Sequence, residues 1–75
     1  MGRTPYRHFF RSLLLNILDP HIPLNVEAIR RAVSIKFGKD VSWNTVKKYL
    51  EELVKEGKVE KVHAGKILMY KRRIQ

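Results

Sequence analysis

A chain of 75 residues with 16 Lys and Arg against 7 Asp and Glu has a formal charge of +9, and that surplus points to a polyanionic partner, nucleic acid first, before it says anything about fold. The length allows one small domain, residues 1–75, with no room for an enzyme fold with a deep cleft; a chain this short buries only about 60 to 65% of its unfolded surface, so a monomer core is marginal. With no cysteine, neither a disulfide framework nor a thiolate zinc site is available, which suits an intracellular protein.

Thr4 followed by Pro5 predicts a helix start, Thr as cap and Pro in the first helical position. Tyr6, Phe10, Leu13, Leu14, Ile17 and Leu18 recur at three- and four-residue steps until "DPHIP" stops the helix at about Asp19. With Phe9 on one flank, the apolar arc covers about half the helix, more than one partner helix needs. Arg3, Arg7 and Arg11 ahead of "LLLNIL" imitate a secretion signal, but Asn16 breaks the run, Asp19 and Pro20 close it, and no small-residue cleavage site follows. No stretch approaches the roughly 20 apolar residues of a membrane span. The expectation is a soluble, cytoplasmic, nucleoid-associated protein with no membrane partner.

"IPL" is extended, because Pro23 biases Ile22 away from helical angles, and Asn25 can cap a second helix running to about Phe37. Its buried stripe is Val26, Ile29, Val33 and Phe37, with Ala28 and Ala32 allowing close approach, and Gly38 is a C-terminal cap. Ser42 caps a third helix with Trp43, Val46, Leu50, Leu53 and Val54 on one face and Gly57 at its end. "KVEKVHA" and "ILMYKRR" then read as two strands joined by a tight turn at Ala64 and Gly65, with Val59, Val62, Ile67, Met69 and Tyr70 as the apolar side chains. A lone hairpin is marginal in water, so this one must pack on the helices, with the extended piece around Ile22 to Leu24 as a possible third strand.

The third helix has its charges reversed for a helix that only has to be stable. The N-terminal end of a helix dipole is positive, yet Lys47 and Lys48 come first and Glu51, Glu52 and Glu56 follow. A helix start with unpaired N–H groups and two lysines seeks anions.

"VSWNTVKKYLEELVKEGKVEKV" resembles the recognition helix and first wing strand of winged helix-turn-helix transcription regulators of bacteria and archaea, in which a Ser-x-x-Thr-Val start, a Leu-x-x-Leu and a Gly-x-Val ending recur. "PLNVEAIRRAV" is similar to the strand and second helix of that family, and "KILMYKRR" to its second wing strand. The resemblance spans about Tyr6 to Arg72. It implies an α+β fold, a winged helix-turn-helix built as a three-helix bundle followed by a two-stranded β-hairpin wing. It also implies sequence-specific binding of double-stranded DNA, with the third helix in the major groove. By position, Trp43, Asn44, Thr45, Lys47 and Lys48 fall where such proteins contact DNA, and His63 and Lys66 fall at the wing tip. The wing is short, which tells against deep insertion into the minor groove.

Each of these residues also has a structural reading. Trp43 stands seven residues before Leu50, so the spacing places it on the core side, packed against the second helix. Asn44 either reads adenine or is a solvated first-turn residue, and Thr45 either touches phosphate or closes the turn. Lys47 and Lys48 could pair with Glu51 and Glu52 four residues on, but Lys before Glu is the weaker order, which favours phosphate contact. Arg30 and Arg31, Arg7 and Arg11, and Lys71, Arg72 and Arg73 are further phosphate candidates. Tyr49 and Tyr70 are expected to pack.

His8, His21 and His63 share no metal-ligand spacing, no nucleophile stands beside a base, and no glycine-rich loop cradles phosphate, so neither catalysis nor a cofactor is expected. The expected regulator is a homodimer through the first helix, where Phe9 and Leu13 lie beside the stripe its own core needs, and no small-molecule ligand is evident. The rival readings are a protein-interaction module or accessory subunit of a transcription or replication machine, and a non-specific chromatin or RNA binder.

Overall fold

The element order is helix, short strand, two helices and a hairpin: α1 (Pro5–Ile17), β1 (Leu24–Asn25), α2 (Val26–Phe37), α3 (Trp43–Lys55), β2 (Val59–Ala64) and β3 (Ile67–Arg72). A computed structural model describes the backbone of residues 5–74 and the side chains of residues 7–74. The Thr4 cap and the side chain of Tyr6 lie outside the described residues.

Helix α1 buries Phe10 and Leu14, four residues apart, and the stripe continues to Leu18, whose N–H still donates to the Leu14 carbonyl at 3.0 Å. Asp19 then accepts from the backbone N–H groups of His21 (2.6 Å) and Ile22 (3.1 Å), a side-chain turn that ends the helix and leads into the strand.

The caps are where the residue types place them. Asn25 accepts from the Ala28 N–H at 2.8 Å at the start of α2, and Gly38, with φ 90°, closes it by donating to the Ser34 carbonyl. Ser42 accepts from the Thr45 N–H at 3.2 Å at the start of α3. At the end of α3, Lys58 N–H bonds the Leu53 carbonyl and Gly57 N–H the Val54 carbonyl, a Schellman cap in which Gly57 takes φ 78°. Between the two helices, Val41 is buried and its N–H donates to the Ser34 hydroxyl at 3.0 Å, which fixes the turn.

The sheet is antiparallel in the order β1-β3-β2, so the two-stranded hairpin gains a third strand from β1, with Leu24 opposite Tyr70 and Asn25 opposite Met69. Ala64 pairs with Ile67, so the turn is Gly65 and Lys66, one residue later than expected. The reason is conformational: a two-residue hairpin loop of this kind needs positive φ at its first central position, and Gly65, at 66°, supplies it.

The core joins Phe10, Leu14 and Leu18 of the first segment to Ile29 and Val33 of α2, to Val46, Tyr49, Leu50 and Leu53 of α3, and to Val59 and Tyr70 of the hairpin. Three sequence expectations are corrected. Ala28 is exposed, and only Ala32 is half-buried beside the core. Val62, Ile67 and Met69 alternate with Val59 and Tyr70 along the pleat, so they line the outer face of the sheet. Trp43 is 46% exposed. It is the first residue of α3, and side chains on a helix lean toward its N-terminus, so the indole projects past the end of the core that begins at Val46.

Candidate nucleic-acid interface

The acids of α3 are committed to its neighbours. Glu51 takes the Lys61 ammonium at 3.0 Å on one oxygen and the Tyr70 hydroxyl at 2.7 Å on the other. Glu52 holds Arg7 at 2.7 Å with Arg11 at 4.0 Å, and Glu56 holds Arg11 and, at 3.7 Å, Lys58. Three carboxylates that the sequence left on a solvated face thereby tie α3 to α1 and to β2. A hydrogen bond from Arg7, with its charge, holds the Glu52 carboxyl below its usual range. Burial, the largest influence on Glu51, pushes its carboxyl up, but hydrogen bonds from Tyr70 and Lys61 outweigh it and the net shift is downward. Burial and the bond to Glu51 push the Tyr70 phenol well up.

The bases at the start of α3 are not so used. Among the described residues neither Lys47 nor Lys48 forms an ion pair; their ammonium groups lie 5.5 Å from the Trp43 ring centroid and 5.7 Å from that of Tyr49. Reversed charge order therefore has two parts: the acids latch the helix inward, and the lysines, lying over aromatic rings, keep their charge at an end already made positive by the dipole.

The hairpin is joined to the C-terminal half of α3. Lys58 bonds Leu53, and three residues on Lys61 meets Glu51, so β2 runs back along α3 toward its N-terminus. His63 and Lys66 are exposed at the hairpin tip.

The other sequence candidates are distributed unevenly. Asn44 is exposed, whereas Thr45 is half-buried and its hydroxyl accepts from Ser42 at 2.8 Å, the turn-closing role. Arg30 is engaged by Glu27 at 2.9 Å and by the Val41 carbonyl at 3.4 Å, so it braces the turn between α2 and α3. Arg31 shares Glu27 at 3.2 Å with most of its side chain in water. Arg7 and Arg11 face the α3 glutamates, and Lys71 and Arg73 share Glu60 at 3.8 and 3.9 Å. On α1, Phe9 is 52% exposed with its ring 6.2 Å from that of Phe37, while Leu13 is half-buried against the core.

Among the described residues no group of three His, Asp or Glu could hold a metal ion, and no helix is long and apolar enough to cross a membrane. Comparison of the chain with protein-family models and with curated proteins gives no match in either.

Proposed function

We propose that the domain is a winged helix-turn-helix that binds double-stranded DNA with sequence specificity and regulates transcription by occupying its site. α2, the turn and α3 form the helix-turn-helix, and the β2–β3 hairpin is the wing. The observation that carries this reading is the segregation of charge along α3, with every glutamate latched to α1 or the hairpin and Lys47 and Lys48, at its start, without an ion pair among the described residues. In the major groove the outward Asn44 reads a base edge, Lys47 and Lys48 take phosphates on either side, Arg31 adds a contact from α2, and His63 with Lys66 meets the backbone beyond. A second copy joining through α1 at Phe9 doubles the site and sets the spacing of two half-sites.

Selection of bound duplexes from a random pool tests it. An enriched sequence bound far more tightly than scrambled duplexes or RNA of the same length supports the regulator. Equal affinity for all of them replaces it with a non-specific binder, and no binding at moderate salt removes nucleic acid from the reading altogether.

A further inference from the structure

Trp43 is the largest apolar side chain left in water at the start of α3, and the surroundings of that indole are cationic. Lys47 sits over the ring at 5.5 Å, Lys48 follows, and the first turn of α3 contains no acid. Two lysines on the turn beside it gather a polyanion more readily than the apolar surface of a protein partner. Within an intact major groove, however, an indole is poorly employed. Base edges are read by hydrogen-bonding groups, and tryptophan has one donor and two flat faces.

Apolar side chains set among cations are what hold an opened base step apart, because they replace the stacking that the step has lost.

We infer that the nucleic acid taken by this surface carries an unstacked base, and that Trp43 is the platform on which that base stacks, with Lys47 covering the indole from its other side. This rests on the reading of α3 as the helix that meets DNA, and adds the class of substrate: a duplex opened at one position, such as a bulge or a junction with a single strand. An intact duplex must first be unstacked to reach the same state, so a duplex already opened is preferred.

The chain contains one tryptophan, so its emission reports on Trp43 alone. The experiment compares a mixed-sequence duplex with the same duplex carrying one unpaired adenine at its centre, at one fixed salt concentration. Affinity is read from the anisotropy of a dye on the DNA and stacking from quenching of the tryptophan. The opened duplex is expected to bind about tenfold more tightly, as one base stacked on an aromatic side chain provides. It is expected to quench the emission where the intact duplex does so weakly. Trp43→Ala abolishes the preference by weakening binding of the opened duplex far more than that of the intact one, and Trp43→Phe, which keeps a ring, retains part of it. Both variants keep the wild-type melting curve, since the side chain stands off the core.

Equal affinity for the two duplexes with unchanged emission overturns the stacking role and leaves DNA binding in place. A preference that survives Trp43→Ala also overturns it, as does an equal loss on both duplexes, which marks a groove contact instead. Failure to bind either duplex is the distinct result that defeats the DNA reading itself.

Discussion

The Tyr70 hydroxyl donates to Glu51 Oε2 at 2.7 Å and so joins the middle of the hairpin to the middle of α3. Tyr70 is fully buried, and its hydroxyl has this carboxylate as its partner at the edge of the core. Tyr70→Phe keeps the packing and removes the bond. It is expected to cost about 1.5 to 3 kcal/mol, a net hydrogen bond to a charged acceptor, and to lower Tm by roughly 4 to 8 °C per kcal/mol in a domain of this size. Thermal melting at neutral pH decides it; an unchanged Tm means that water replaces the phenol at no cost.

The latches also set the acid limit of stability. Glu52 is lowered first by the hydrogen bond from Arg7; Glu51, despite its burial, is lowered by Tyr70 and Lys61. Carboxyls depressed in the folded state contribute stability that is complete above their unfolded values and lost as the pH falls through the folded ones. Tm should be flat above about pH 5 and decline on acidification. Glu52→Gln should show a lower plateau and a shallower acid limb. A wild-type Tm that rises on acidification contradicts the assignment.

Which parts of this were legible in the sequence follows from the range of the interactions. Asn25, Ser42, Gly38 and Gly57 act within four or five residues of themselves, so residue type and spacing located every element to within about two residues. The hairpin turn slipped by one, because Ala64–Gly65 and Gly65–Lys66 are equally plausible pairs until the register places Gly65 first. Trp43 went to the core because a seven-residue spacing describes the face of a helix and says nothing of where its packing partner ends. The latches carried no local signal at all: Arg7 and Glu52 are 45 residues apart, Glu51 and Tyr70 19. The order of lysines and glutamates could be read as unusual, but its tertiary cause could not.

Leu50 and Gly57 test the α3 framework by unrelated means. Leu50→Ala empties a fully buried position and should cost about 2 to 5 kcal/mol. At Gly57 an added Cβ meets nothing within 4 Å, so Gly57→Ala is penalised through φ 78° alone, by roughly 1 to 2 kcal/mol. Denaturant titrations should show both losses; a neutral Gly57→Ala would mean that the Schellman cap relaxes freely.

Assembly is expected to run through Phe9, which remains half in water even with Phe37 beside it, whereas Leu13 is already partly used by the core. Sedimentation should show a dimer at tens of micromolar, a concentration at which about 8 kcal/mol of association energy is ample. Phe9→Asp should show the monomer mass at an unchanged melting profile under dilute conditions. A wild-type monomer at that concentration removes the two-half-site geometry from the proposal.

Positioning and reading are separable at adjacent turns of α3. Lys48 is exposed and without an ion pair among the described residues, so its ammonium is available to a phosphate. Lys48→Ala should weaken binding to every duplex by a similar factor and reduce the slope of log affinity against log salt by about 0.9, one contact's worth. Asn44, outward on the first turn, has a different signature: if its amide pairs with an adenine edge, Asn44→Ala costs about 1 to 3 kcal/mol on the preferred site, relaxes discrimination at one base position and leaves non-specific binding nearly intact. Both titrations are run at several salt concentrations on variants whose melting matches the parent, so that a loss of fold is not mistaken for a loss of contact. Should Asn44→Ala lower the affinity for preferred and scrambled duplexes alike, α3 is an electrostatic anchor, and an architectural DNA binder takes the place of the regulator.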